Sequence, residues 1–215
     1  KKKLLSLGLT AAMVACYTPA TIFADEVGNQ GNIIEVSTYQ ELKEALGYNK
    51  YDEEKGAFVA TEGTAKEGDT IKLTADLIAE TDKANPKGNK RTGDSATDAR
   101  FDSTTGATVT VATNNVTIDG NGHTIDGDGY PTFDFDGVKG AELKNITVED
   151  GAYTAKIGGA IFVEYGAEVS MDNITVKDIS ANATSAFNGG GAIYINNHRG
   201  DAPKVTITNS QFINN

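Results

Sequence analysis

Hydrophobic and polar residues alternate with a period of two over much of the second half of the chain. Such alternation is typical of β-strands, because successive side chains point to opposite faces. The alternation stops once at an asparagine and then resumes one residue out of phase. This form occurs four times, in Val111-x-Thr113-x-Asn115-Val116-x-Ile118, Ala141-x-Leu143-x-Asn145-Ile146-x-Val148, Val169-x-Met171-x-Asn173-Ile174-x-Val176 and Val205-x-Ile207-x-Asn209-Ser210-x-Phe212.

The asparagine in each repeat indicates a bend in the chain. A shift of one residue would turn the apolar side chains outward unless the backbone changed direction there. Asparagine suits such a bend, since it tolerates left-handed backbone angles and its amide can bond neighbouring groups. Stacking of the repeats predicts a ladder of bonded amides formed by Asn115, Asn145, Asn173 and Asn209.

A second repeated element is a glycine pair that leads into a strand. It occurs as Gly158-Gly159-Ala160-Ile161 and as Gly190-Gly191-Ala192-Ile193. The unequal spacing of the repeats is typical of fixed strands joined by loops of variable length. We therefore predict an all-β fold, a right-handed parallel β-helix. An antiparallel sandwich also has alternating strands, but it does not predict the repeated asparagine bend.

The first third of the chain has a different pattern. A short strand at Ile33–Val36 precedes Thr38 and Glu41, whose spacing is that of a helix capping box. We predict a short capping α-helix over 38–46 and a polar surface loop from Glu80 to Thr105. The predicted regions are therefore a cap region at 25–107 and the first coils of the β-helix at 108–215, with further coils following.

The N-terminus has the form of an export signal. Three lysines precede an apolar stretch that is too short to span a bilayer, and cleavage after Ala24 gives a mature chain starting at Asp25. A lipoprotein anchored through Cys16 is the alternative, because Met13-Val14-Ala15 precedes this cysteine. We expect the protein to be secreted or displayed on the cell surface, and we expect no transmembrane span in this segment.

Charge and length narrow the classes of function. The 215-residue chain has a formal net charge of −11, which argues against a nucleic-acid partner. Its single cysteine excludes an intramolecular disulfide.

The glycine boxes, together with Phe212-Ile213-Asn214-Asn215, resemble the GGAI and FxxN repeats of the polymorphic outer membrane protein family. This resemblance covers about residues 141–215 and implies a surface-exposed β-helical adhesin. The run from Val116 to Gly127, after the predicted helix, resembles the pectate-lyase-like superfamily. That wider resemblance implies the fold and little about activity.

Asp134 and Asp136 are the main candidates for a chemical site. Two residues apart on one strand, they would share an outward face and could bind Ca²⁺ or act as an acid and base on a glycoside. Phe133 and Phe135 would then pack inward, and solvated aspartates are the simpler interpretation. The sequence assigns no catalytic residue and no other metal ligand, because His123 and His198 have no Cys or His at ligand spacing.

Arg199-Gly200-Asp201 forms an RGD tripeptide in a polar loop, where a host receptor of the integrin type could bind it. Gly-Asp is also ordinary turn chemistry. Because the sequence repeats a scaffold and shows no recognisable set of catalytic residues, we expect an adhesin or autotransporter-like passenger. Its partner would be a host-cell receptor or a polysaccharide. The alternative is the N-terminal part of a secreted polysaccharide lyase or glycoside hydrolase whose active site lies in later coils.

Overall fold

The computed structural model describes residues 31–80, 106–153, 159–181, 191–197 and 201–215. These residues are mostly β-structure with one short helix, which confirms the all-β prediction. In chain order the elements are β1 (Ile33–Val36), α1 (Tyr39–Leu46), β2 (Gly47–Asp52), β3 (Ala57–Glu62), β4 (Thr70–Leu73), β5 (Leu77–Ile78), β6 (Val109–Val111), β7 (Thr117–Asp119), β8 (Thr124–Asp126), β9 (Phe133–Asp136), β10 (Ala141–Glu149), β11 (Ala152–Tyr153), β12 (Ile161–Glu164), β13 (Glu168–Lys177), β14 (Ser180–Ala181), β15 (Ile193–Asn196), β16 (Lys204–Thr208) and β17 (Gln211–Ile213).

The described strands belong to separate sheets. A nine-stranded sheet runs β1-β4-β7-β10-β13-β16, with β5, β8 and β17 paired beside this path. A six-stranded sheet runs β15-β12-β9-β6-β2-β3, and β11 pairs with β14. Pairing is parallel throughout the first sheet, whereas the second is mixed, because β2 pairs antiparallel with both β3 and β6.

The prediction of a right-handed parallel β-helix is therefore wrong. The strands form a nine-stranded, parallel-rich sheet and a mixed sheet rather than one continuous solenoid. The hairpin of β2 and β3 is one physical reason, because it adds antiparallel pairing to the six-stranded sheet. The Asp52 carboxylate accepts the backbone N–H groups of Glu54 and Lys55 and closes a turn that folds the chain back.

Parallel strands of the nine-stranded sheet are aligned so that apolar residues stack in columns. One column consists of Ile71, Ile118, Leu143 and Met171, all fully buried, followed by Ile207. The inward residues of the six-stranded sheet, including Phe133, Phe135 and Val163, belong to the same hydrophobic core. This core holds the two sheets together, and about 25 cal/mol per Å² of buried apolar surface is the main stabilising contribution.

Helix α1 forms as the sequence predicts. Thr38 is the N-cap, its side chain accepts the Glu41 N–H, and the Glu41 carboxylate accepts the Thr38 N–H in return. Leu42 and Leu46 are buried, and the Tyr39 hydroxyl donates to the Ala107 carbonyl at 2.6 Å. The helix thus packs its apolar face onto the first strands of the fold.

Several predicted features fall outside the described residues. These are the export signal at 1–24 with Cys16, most of the polar loop at 80–105, and Arg199 and Gly200. Within the part of the chain that the structure describes, no helix has the length and apolar character needed to cross a membrane.

Candidate functional site

The outer face of the six-stranded sheet carries two rows of polar and aromatic side chains. Because β9, β12 and β15 pair in parallel register, one row contains Asp134, Phe162 and Tyr194. The second row, two residues further along each strand, contains Asp136, Glu164 and Asn196. We call these six residues the acidic-aromatic face.

The two aspartates differ in exposure. Both lie on this face, because the residues beside them, Phe133 and Phe135, point into the core. Asp136 is exposed to solvent, but Asp134 is 1% exposed. The expectation that both aspartates are solvated therefore describes only Asp136.

The accessible side chains of the acidic-aromatic face contact buried side chains of the same face. Phe162 is fully buried, and its ring lies 5.9 Å from that of half-buried Tyr194 at an interplanar angle of 60°. Glu164 is also fully buried, and its Oε1 accepts a hydrogen bond of 3.3 Å from the Asn196 amide. Each contact restricts the rotamers of a side chain at the surface, so Tyr194 and Asn196 are held in place before any ligand arrives.

The metal hypothesis gains no support from the geometry. Among the described residues, no group of three or more His, Cys, Asp or Glu side chains is arranged to hold a metal ion. Asp119 and Asp126 have turn roles, since their carboxylates accept the backbone N–H groups of Asn121 and Asp128 at 2.8 Å. Ca²⁺ binding at Asp134 and Asp136 stays a prediction.

The outer face of the nine-stranded sheet is occupied by ion pairs. Glu168 bonds Lys204 at 3.0 Å and Lys139 at 3.4 Å, and these lysines hold the pKa of its carboxyl below the ordinary value. Lys177 contacts Glu149 at 2.5 Å, which raises the pKa of this lysine. Because these charges are already compensated, this sheet is a weaker candidate for ligand binding than the acidic-aromatic face.

The predicted asparagine ladder is divided between two bends. Asn145, Asn173 and Asn209 align in register, and all have a left-handed backbone with φ near 50°. Asn173 Nδ2 donates to Asn145 Oδ1 at 3.0 Å, whereas Asn209 Nδ2 donates to Asp172 Oδ1 at 2.7 Å. Asn115 is also left-handed, but it lies beside Gly68 and Gly140 at the bend that precedes these strands.

A second column of left-handed residues was missed by the sequence interpretation. Asp150, Asp178 and Asn214 align where β10, β13 and β17 end, with φ of 47°, 57° and 53°. Asn214 Nδ2 donates to Asp178 Oδ1 at 3.2 Å, so this column also has an amide contact between layers. Because this bend uses both Asp and Asn, no single repeated residue type marks it in the sequence.

The RGD tripeptide is only partly described. Asp201 is exposed, and its backbone lies close to Gly166. Arg199 and Gly200 lie outside the described residues, so the geometry of the tripeptide is not defined. Integrin binding stays a prediction.

Glu164, Phe162, Tyr194 and Asn196 are the site residues that sequence reasoning missed. The signal that could have found them is the pair of glycine boxes, since each box leads into β12 or β15. Placing both strands in register with β9 brings their outward residues beside Asp134 and Asp136.

Comparison with known proteins yields no relative. No protein-family model matches the chain, and neither a curated protein nor a solved structure shows significant similarity to it. Its function must therefore be inferred from the geometry and charge of its own residues.

Proposed function

We propose that the protein is an exported bacterial surface or secreted protein that acts as an adhesin and binds a polysaccharide on its acidic-aromatic face. The observation that carries this proposal is that Tyr194 packs against the buried Phe162 ring and that the Asn196 amide donates to buried Glu164. A rigid aromatic ring beside an amide and a carboxylate matches a sugar, which has an apolar ring face and hydroxyl groups at its edge.

The charge of the protein favours a neutral polysaccharide. The chain carries a formal net charge of −11, and Asp136 is exposed at the face itself. An anionic polymer such as polygalacturonate would be repelled, whereas hydroxyl groups of a neutral polymer can donate to the Asp136 carboxylate. Asp136 and Asn196 lie on either side of β12, and adjacent strands are about 4.8 Å apart, so the two side chains are separated by about 10 Å, which leaves room for a sugar unit between them.

A binding assay on two polymers tests this proposal. Retention of the protein on immobilised galactomannan should exceed retention on polygalacturonate, and Tyr194→Ala should lower the affinity for galactomannan about tenfold or more. Tyr51→Ala is the matched control, because this half-buried tyrosine lies on β2, which β6 separates from β9 in the six-stranded sheet. Equal binding by wild type and Tyr194→Ala would refute the proposed binding surface.

Glycoside hydrolysis is a second candidate function. It is favoured by the register of β9 and β12, which places Asp136 directly beside Glu164. Paired carboxyl groups of retaining glycosidases are about 5 Å apart, similar to the distance between neighbouring strands. Only Asp136 of this pair is exposed to a glycoside, whereas Glu164 is buried beside it. An adhesin releases no product, so formation of reducing ends that Asp136→Asn abolishes would favour the enzyme.

A further inference from the structure

The corner between β12 and β13 contains a tyrosine with an unusual backbone conformation. Tyr165 directly follows β12, and its φ of 53° lies in the left-handed region. Every other non-glycine residue with such a φ in the described part of the chain is an asparagine or an aspartate. Larger side chains are strained in this region, because Cβ approaches the following carbonyl oxygen. A tyrosine at this corner therefore costs stability that an asparagine would not.

The strained residue belongs to a tight turn. The Glu164 carbonyl accepts the Ala167 N–H at 3.0 Å, and Tyr165 and Gly166 between them both have positive φ, which is the pattern of a type I′ turn. Glycine, asparagine and aspartate dominate these two positions. A neighbouring layer holds the turn in place, since Lys139 Nζ donates to the Gly166 carbonyl at 2.5 Å. Tyr165 is thus held in its conformation by contacts of the surrounding backbone.

This turn adjoins the acidic-aromatic face. Tyr165 comes directly after Glu164, which lies in one row with Asp136 and Asn196. The neighbour of Tyr165 in the preceding layer is Gly137, where an added Cβ would lie 3.6 Å from the Tyr165 carbonyl oxygen. Because glycine has no side chain, position 137 cannot cover the tyrosine ring. Tyr165 is half-buried, so part of its side chain is accessible at the rim of the face.

The position of Tyr165 sets its distance from the other accessible ring of the face. Tyr194 is in register with Phe162, and Tyr165 lies three residues beyond Phe162 in the chain. A strand rises about 3.3 Å per residue, so the two tyrosines are about 10 Å apart along the strand direction. A single sugar on Tyr194 does not reach Tyr165. An oligosaccharide that follows the strands reaches both rings and passes Asp136 and Asn196 on the way.

We propose that Tyr165 is a second stacking platform of the acidic-aromatic face, which therefore binds a neutral oligosaccharide along the strands rather than a single sugar. This inference rests on the proposed polysaccharide-binding function and adds a residue and a direction to it. One sugar stacks on Tyr194, a later sugar stacks on Tyr165, and hydroxyl groups between them bind Asp136 and Asn196. The strained backbone places the ring at the corner, which explains a tyrosine where an asparagine would be more stable.

Tyr165→Asn separates binding from stability, because asparagine accepts the left-handed backbone but has no ring. Its affinity for mannohexaose should be about tenfold lower than that of the wild type. Its affinity for methyl mannoside, which contacts only Tyr194, should not change. The thermal midpoint of unfolding should rise by about 2–4 °C, because the strain is released. A tyrosine that serves only packing would instead give a lower midpoint.

Two further variants are the controls. Tyr165→Phe keeps the ring and should bind mannohexaose as the wild type does, and a tenfold loss there would contradict stacking. Tyr51→Asn removes a half-buried tyrosine of β2, where φ is not positive, so it should change neither affinity and should not raise the midpoint.

The outcomes separate this inference from the proposed function. Unchanged mannohexaose affinity, an equal loss for methyl mannoside, or a lower midpoint in Tyr165→Asn would each overturn the role of Tyr165. If Tyr194→Ala weakens binding of both ligands while Tyr165→Asn weakens neither, the polysaccharide-binding function stands and only the second platform fails. Wild-type affinity of Tyr194→Ala for both ligands would refute the function itself.

Discussion

One apolar register position of the nine-stranded sheet is buried in β10 and β13 but partly exposed in β16. Leu143 and Met171 are fully buried, because each has a strand on both sides, whereas Ile207 at the same register position is 39% exposed. The local backbone is the same in both places, since Asn145, Asn173 and Asn209 all have φ between 51° and 53°. Local conformation is therefore set by residue type, and burial is set by the number of neighbouring strands.

The largest expected effect comes from truncating an interior residue of this column. Leu143→Ala should lower the free energy of unfolding by about 2–5 kcal/mol, because it leaves a cavity between packed strands. Ile207→Ala should cost less than about 1.5 kcal/mol, since part of the side chain is already in water. Urea denaturation of both variants measures the difference, and equal losses would contradict the comparison.

A smaller loss is expected at Asp69, which ties β1 to the loop before β4. Its carboxylate accepts the Lys66 N–H at 2.8 Å and the Asn32 N–H at 2.7 Å, and these bonds lower its pKa. Asp69→Ala should cost about 2 kcal/mol at neutral pH.

The pH dependence of the same variant follows from the sign of the shift. Because the pKa of Asp69 is lower in the folded state, its contribution is complete above its ordinary value of 3.8 and is lost as the pH falls through the folded-state pKa. Urea denaturation at pH 7 and below pH 4 should therefore show a smaller difference between wild type and Asp69→Ala in acid. An equal difference in unfolding free energy at both pH values would mean that the charge of Asp69 does not contribute to stability.

Paired substitutions at Asn173 separate the amide contact from the backbone angle. Asn173→Gly removes the bond to Asn145 but accepts a positive φ, so it should cost about 1 kcal/mol. Asn173→Ala should cost about 1–2 kcal/mol more, because alanine is strained in the left-handed region. The same glycine-to-alanine difference is expected at Asn209, and a much smaller difference there would show that the backbone between β16 and β17 relaxes.

The smallest effect is expected at the helix cap. Thr38→Ala should lower the free energy of unfolding by about 1 kcal/mol, because the Glu41 N–H loses its acceptor. Thr206→Ala, at an exposed threonine on β16, is the control and should change stability by less than about 0.5 kcal/mol. Thermal unfolding of both variants would test whether the helix N-cap depends more on its side-chain contact than β16 does on Thr206.

Much of the local structure could be predicted from single residues. Thr38 and Glu41 predicted the capping box, and Asn145, Asn173 and Asn209 predicted a bend, since each conformation depends on residues close in sequence. The hairpin of β2 and β3 was missed, because its turn depends on one Asp52 carboxylate within a polar stretch.

The candidate site was only partly predictable. Alternation placed Asp134 and Asp136 on one face, but the sequence did not show that Asp134 is buried or that Glu164 lies beside Asp136. These facts depend on the register between strands that are about thirty residues apart in the chain. Register is decided by the packing of whole layers, which no single segment encodes.

The sequence by itself determined the all-β character, the helix N-cap and the asparagine bends, because each follows from backbone preferences over a few residues. Only the tertiary structure decided that the strands form a parallel nine-stranded sheet and a mixed six-stranded sheet. It also decided that Asn115 lies at a different bend from Asn145, and that Ile207 is exposed while Met171 is buried. The physical reason is that burial and register depend on neighbouring strands that are distant in sequence.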